Sequence, residues 1–249
     1  TTVIDLSTLT IDQTVTKGAF ATTITAAAGT AGATITGTSV ADTITGSGSA
    51  DTITGGNGID TITAGAGNDT IILTEATASQ VRDNYNLQLA STNGRDTVQG
   101  FKVGTDKIQL KDGATTSSDS TATVAEVSAA LVTGAAAYAI AGSVAMAGAS
   151  GNMVAEIVVT LTSNGDLDAS LTGSELLKAL STSSTLAATK ITTDSGEDGY
   201  ILAYQDGNAY LYEFSTANTD IRAQDMTLVS VIEGITATAL TSTDFNVIA

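Results

Sequence analysis

Cysteine, histidine and proline are all missing from this 249-residue chain. Without cysteine there is no disulfide, no thiolate metal site and no thiol catalysis. Without histidine the chain lacks the side chain most used as general base and zinc ligand. Average proline usage of about 5% would give roughly a dozen, so their absence removes the slow X-Pro isomerisation step from folding. Basic residues are scarce too: 9 Lys and Arg face 26 Asp and Glu, a formal charge of −17. That balance excludes nucleic acid, whose binding rests on Lys and Arg neutralising phosphates, and disfavours an anionic membrane surface. Divalent cations are the natural counter-charge. No apolar run is long enough to span a bilayer, and Thr1 opens no basic-headed signal peptide. Because Thr1 stands where Met would, we expect the processed or excised end of something longer. The GxSxG, GxGxxG, GxxxxGK[ST] and HExxH templates all fail, so no enzyme activity is expected.

What is present is repetition. A nine-residue phrase recurs four times without a gap over residues 37–72: GTSVADTIT, GSGSADTIT, GGNGIDTIT and AGAGNDTII. Asp holds the sixth place (Asp42, Asp51, Asp60, Asp69) and Ile the eighth (Ile44, Ile53, Ile62, Ile71). Thr-Ile-Thr is a short strand, β-branched throughout, whose period of two turns Ile to one face and Thr to the other. A stretch such as GGNG is a corner, because glycine supplies the unusual backbone angles of a tight turn at little steric cost. Strand and corner then alternate, two copies make one coil, and coils stack at about 4.8 Å. Ile44 should lie over Ile62 and Ile53 under Ile71, giving a thin aliphatic core between two parallel sheets. The same stacking brings Asp42 near Asp60 on one edge and Asp51 near Asp69 on the other. Two unit charges about 5 Å apart repel by a few kcal/mol at an effective dielectric near 20, so the coil should not close unaided. Calcium removes that objection, since it takes six to eight oxygens, whereas magnesium demands a stricter octahedron and keeps its water. Asp is also a common turn former beside Gly. Four copies in fixed register, with Asp never drifting, argue against so plain a role.

Residues 37–72 resemble the repeats-in-toxin, or RTX, calcium-binding repeats, about a seventh of the chain. The resemblance implies a mainly β fold with a right-handed parallel β-roll. It also implies that Asp residues two repeats apart share an ion: Asp42 with Asp60, and Asp51 with Asp69. The accompanying positions are Gly46, Gly48, Gly55, Gly56, Asn57, Gly58, Gly65 and Gly67, contributing backbone oxygens. The first corner, Gly37-Thr38-Ser39-Val40, departs from the pattern. Residues 1–36 read as irregular strands leading into the solenoid, with AGTAGATIT (28–36) a degenerate coil that has Ala33 in the Asp place.

Residues 73–112 are expected to cap the roll. Val98, Phe101, Val103, Ile108 and Leu110 suit two strands around a turn at Val103-Gly104-Thr105-Asp106. This stretch is similar to the segment that follows many RTX rolls, which raises Asp96 and Asp106 as further ligands beside turn and salt-bridge roles. Residues 113–249 are expected to form a smaller α+β domain. Thr121 to about Ala147 is Ala-rich with Val124, Val127 and Leu131 at helical spacing, predicting a helix. MVAEIVVTLT (153–162) predicts a strand closed by Asn164-Gly165, and Thr172 or Ser174 caps a helix through Leu180. GYILAYQDGNAYLYEF (199–214) predicts a hairpin turning at Asp206-Gly207, and MTLVSVI (226–232) a further strand. Tyr200, Tyr204, Tyr210 and Tyr212 of that hairpin suit cross-strand packing on the Ala-rich helix better than a carbohydrate platform. Two other acidic stretches read as loops: Asp194 to Gly199, an imperfect EF-hand imitation with Gln205 in the twelfth place, and Asn164-Gly-Asp166-Leu-Asp168.

These expectations converge on a calcium-dependent structural protein, extracellular or on a bacterial cell surface. RTX rolls typically precede a C-terminal signal read by a type I (ABC) exporter, and Asp244-Phe-Asn-Val-Ile-Ala249 resembles such an ending. The Thr/Ala/Gly excess looks like a surface-layer protein. The expected partners are further copies of the chain in a two-dimensional lattice, the exporter, and cell-surface polysaccharide. The alternative is the secretion and folding module of an RTX adhesin or exoenzyme.

Overall fold

Each Thr-Ile-Thr triplet is too short to hold itself together, so the fold is built by stacking triplets at long range. The computed structural model describes residues 2–5, 21–26, 31–75, 81–88, 93–111, 127–132, 154–159, 166–180, 191–192, 198–215, 220–236 and 239–248. The chain divides into two compact units, the first made of Thr1–Lys111, Ile232–Gly234 and Thr243–Ile248.

In the first unit ten strands follow in order: β1 (Thr2–Asp5), β2 (Thr22–Thr25), β3 (Thr34–Thr36), β4 (Thr43–Thr45), β5 (Thr52–Thr54), β6 (Thr61–Thr63), β7 (Thr70–Ile72), β8 (Asn84–Asn86), β9 (Asp96–Gln99) and β10 (Lys107–Lys111). From β2 onward they alternate between two parallel sheets, β1-β2-β4-β6-β8-β10 and β3-β5-β7-β9. The register stacks Ile24, Ile44, Ile62, Tyr85 and Ile108 in one sheet. In the other it stacks Ile35, Ile53, Ile71 and Val98. All nine are fully buried, with Thr turned outward and partly or fully exposed. At about 1.5–3 kcal/mol per buried large side chain these two ladders are the core of the unit. Ile44 pairs with Ile62 and Ile53 with Ile71 as the repeat requires. The result is a mainly β, parallel β-roll.

Beyond the repeats the structure departs from a simple cap. β9 and β10 do not form a hairpin; each continues its own sheet in parallel, β9 beside β7 and β10 beside β8. The turn between them is a corner of the same kind, with the N–H groups of Thr105 and Asp106 donating to the Lys102 carbonyl at 3.0 and 2.9 Å.

The second unit comprises Asp112–Val231 with Ile235–Ser242. Its strands are β11 (Val127–Val132), β12 (Val154–Val159), β13 (Ile191–Thr192), β14 (Asp198–Gln205), β15 (Asn208–Ser215), β16 (Asp220–Ile221) and β17 (Met226–Ile232). The order is β11-β12-β14-β15-β17, with β13 and β16 paired separately. Val127–Val132 is therefore strand where helical spacing predicts helix: Val127 and Leu131 fit either period, and six residues of parallel pairing with β12 decide it. The rest of the Ala-rich stretch lies outside the described residues, as do Asn164-Gly165 and residues 193–197. Asp206 (φ 50°) and Gly207 (φ 78°) turn the predicted hairpin as a type I′ turn. Its four tyrosines are buried, opposite Glu213, Ala209, Ala203 and Ile201 rather than each other. Tyr210 and Tyr212 pack with Leu176 and Leu177 of helix α1 (Ser174–Leu180), which takes the place expected of the Ala-rich helix. Asp166 caps a short 3₁₀ turn through the Asp168 N–H, and Asp168 accepts from the Tyr210 hydroxyl at 3.1 Å, so both carboxylates are spent on structure.

The chain then re-enters the first unit. β18 (Phe245–Ile248) lies parallel to β10, placing Phe245 on Ile108 as the next rung of the Ile ladder. The segment 243–248, which the sequence assigns to an α+β region, is part of the roll.

Candidate metal centre

Seven corners of the roll end on a buried aspartate: Asp42, Asp51, Asp60, Asp69, Asp83, Asp96 and Asp106. There the chain has left one sheet and not yet joined the other, so its N–H has no ladder carbonyl to meet. The carboxylate of the next coil supplies the acceptor. On one edge Thr22 N–H donates to Asp42 Oδ1 at 2.7 Å, Asp42 N–H to Asp60 Oδ1 at 2.8 Å, Asp60 N–H to Asp83 Oδ1 at 2.9 Å and Asp83 N–H to Asp106 Oδ1 at 3.0 Å. On the other, Ala33 N–H donates to Asp51 Oδ1 at 2.6 Å, Asp51 N–H to Asp69 Oδ1 at 2.7 Å and Asp69 N–H to Asp96 Oδ1 at 3.1 Å. Charge-assisted bonds of this kind are the strong ones. The expected pairs, Asp42 with Asp60 and Asp51 with Asp69, are therefore in place. The ladder also runs on through Asp83, Asp96 and Asp106.

The second carboxylate oxygen separates the corners into two kinds. Asp42 Oδ2 accepts the Thr38 N–H and Asp51 Oδ2 the Ser47 N–H, both at 2.5 Å. Asp106 Oδ2 accepts from Lys102 N–H at 2.7 Å, and Asp96 Oδ2 from the Tyr85 hydroxyl at 2.6 Å. Asp60 Oδ2 and Asp69 Oδ2 are buried with no hydrogen-bond partner among the described residues. The backbone explains the split. Where Asp42 and Asp51 have Thr38 and Ser47 four residues before them, Asp60 and Asp69 have Gly56 (φ 106°) and Gly65 (φ 102°). Positive φ re-aims the peptide, so that corner N–H does not reach its own Asp.

Leaving a buried carboxylate oxygen bare is costly, and the acidities show it. Burial, opposed by the Asp42 N–H and aided by the charges of Asp83, Asp42 and Glu75, pushes Asp60 up to about 8. Burial with the charges of Asp96 and Asp51, opposed by the Asp51 N–H, pushes Asp69 up to about 8. Asp83 rises to about 7, chiefly by burial and then by the charges of Asp106 and Glu75. Asp96, which Tyr85 partly relieves, rises to about 6 through burial. A cation of charge two would hold Asp60 and Asp69 ionised at neutral pH, supplying the missing partner and cancelling the repulsion along each edge.

Side chains alone do not make the site, since no three carboxylates converge on one point among the described residues. Backbone oxygens must contribute, and the glycine corners stack closely enough for that. A Cβ on Gly56 would lie 2.1 Å from the Thr38 carbonyl oxygen, and one on Gly65 2.0 Å from that of Ser47. A Cβ on Gly55 would meet Asp60 Oδ2 at 2.6 Å, and one on Gly46 would meet Asp51 Oδ2 at 2.6 Å. Gly58 and Gly67 abut the backbones of Val40 and Ser49 in the same way. Asn57 spends its N–H on the Thr38 carbonyl at 3.0 Å. A Cβ on Gly48 would meet nothing within 4 Å, and the residue is exposed. The donor set of hard oxygens, carboxylate and carbonyl, fits calcium.

Two acidic residues on this edge are absent from the set read out of the repeats. Asp83 is one; its sequence signal is Asp83-x-Tyr85, the Asp-x-Ile phrase with an aromatic in the core place. Glu75 is the other, accepting the Gly58 N–H through Oε2 at 3.3 Å while Oε1 stays buried and without a partner among the described residues.

Fold and edge together define a parallel β-roll whose stacked corners present aspartate and backbone oxygens suited to a cation. Residues 36–71 match the family model of the RTX calcium-binding nonapeptide repeat, in 4 copies. The chain thus contains an RTX-type, calcium-binding region, a kind of repeat typical of secreted proteins. No curated protein and no solved structure gives a significant match. Among the described residues no helix is long and apolar enough to cross a membrane.

Proposed function

We propose that this chain is part of a bacterial surface-layer protein that crosses its exporter unfolded and folds and assembles outside the cell on binding calcium. The observation that carries the proposal is the pair of buried, unpartnered oxygens on Asp60 and Asp69 within unbroken aspartate ladders. A chain with those groups folds poorly where calcium is scarce and well where it is plentiful. Its work is structural, with no catalytic group assigned. The net charge of −17 supports calcium-bridged contact between copies, and cell-surface polysaccharide is the proposed anchor. Export by a type I system is proposed because RTX-type repeats are typical of secreted proteins.

The second reading is a secretion and folding module of an RTX adhesin or exoenzyme. It shares the roll and differs in assembly. Electron microscopy of the purified chain across a calcium series separates the two: ordered sheets appearing with calcium support the lattice, and monomers at every calcium level overturn it.

A further inference from the structure

The corner after β7 leads to Glu75, outside the four matched repeats. Its carboxylate reaches back to the glycine corner of the third repeat, where Oε2 accepts the Gly58 N–H at 3.3 Å. The other oxygen, Oε1, is buried with no partner among the described residues. Asp60 of the same corner is fully buried, and its Oδ2 is equally without a partner. Asp83, 1% exposed, fixes the next corner on this edge by accepting the Asp60 N–H. The Gly58 N–H held by Glu75 and the Asp60 N–H held by Asp83 thus tie three acidic groups to one edge of the roll. A long bond to Gly58 explains one oxygen of Glu75. It does not explain why the second is buried without a partner, an arrangement that a cation would relieve.

We propose that Glu75, with Asp60 and Asp83, forms a calcium site beyond the nonapeptide repeats, Glu75 supplying a side-chain oxygen that the repeat phrase itself does not contain. The carboxylates do not converge closely enough to chelate alone, so backbone carbonyls of the Gly55–Asp60 corner complete the oxygen set. The proposal rests on the roll binding calcium at all.

The test is calcium binding to the full chain by isothermal titration calorimetry and equilibrium dialysis, comparing wild type with Glu75→Gln and Asp69→Asn. Glu75→Gln should lose one ion, or weaken one class of site by about tenfold or more, while the sites that Asp69→Asn impairs stay intact. Far-UV circular dichroism at saturating calcium reports whether each variant is folded. If Glu75→Gln fails to fold, Glu75→Lys is read by the same criterion, its ammonium standing where the cation would; one ion fewer than wild type supports the site. The wild-type number of ions at wild-type affinity in the folded variant overturns the Glu75 site and leaves the repeat sites standing. A wild-type chain that binds no calcium overturns the reading of the roll instead.

Discussion

The backbone N–H of Asp60 donates to Oδ1 of Asp83 at 2.9 Å, although the two are 23 residues apart and only Asp60 belongs to the repeats. The same bond joins Asp42 to Asp60 across 18 residues. An aspartate ladder therefore tolerates a longer loop between rungs, provided the carboxylate arrives just before the next strand. What the ladder needs is one acceptor per corner N–H; what a cation needs is the other oxygen left free.

That division predicts unequal aspartates. Asp60→Asn and Asp69→Asn keep a side-chain oxygen for the corner N–H and remove the charge, so each should weaken calcium binding by about tenfold or more. Asp42→Asn and Asp51→Asn act where Oδ2 is already bonded to Thr38 or Ser47, so their effect on calcium should be much smaller. Calorimetric titration of the four variants checks the order; equal losses at all four would contradict it.

Protons and calcium should compete for the roll. Asp60 and Asp69 are raised from 3.8 to about 8 in the folded, calcium-free state, so that state holds protons more tightly than the unfolded chain does. Their protonation contributes stability that is fully present below pH 3.8 and is lost as pH rises through about 8. In the presence of chelator the melting temperature should fall from pH 5 to pH 9. With saturating calcium, which binds the ionised form, the decline should be abolished or reversed. Thermal melts followed by circular dichroism at both calcium levels measure this directly.

Glycine positions should sort by what lies above them. Gly65→Ala forces a positive φ on alanine, costing about 1–2 kcal/mol, and drives a Cβ to 2.0 Å from the Ser47 carbonyl oxygen, adding about 1–3 kcal/mol of overpacking. Gly48→Ala meets nothing within 4 Å and should stay within about 0.5 kcal/mol of wild type. Denaturant midpoints in saturating calcium test the contrast.

The last strand should matter to the roll. Phe245 is 3% exposed and lies on Ile108, so Phe245→Ala should cost about 3–5 kcal/mol, and deleting residues 243–249 should raise the calcium concentration needed for folding. A deletion with an unchanged calcium midpoint would remove β18 from the roll's energetics.

Much of this was legible because a fixed period was written out in residues 37–72: the Ile pairs, the Asp pairs and the glycine corners follow from it. Asp83 was hidden because its loop stretches the spacing from 18 to 23 residues, its core partner is Tyr85 instead of Ile, and Val81-Arg82 carries no glycine signal. The role of Gly56 and Gly65 in freeing one carboxylate oxygen depends on φ; the sequence shows Thr38 and Ser47 against Gly56 and Gly65 but not where the corner N–H then points. Asp244, whose Oδ1 accepts the Gly104 N–H at 2.5 Å across 140 residues, is a long-range contact with no local signal. In residues 127–132 helical spacing and parallel pairing compete for the same residues, and the sheet prevails.

The central claim is that calcium binding and folding of the roll are one equilibrium, and hydrogen exchange of the full chain with and without chelator tests it most directly. With calcium, the amides of β4 through β10 should be protected as one cooperative block; with chelator at neutral pH, that block should exchange at the rate of unstructured chain. Protection of those strands that is the same in chelator as in calcium would contradict the account.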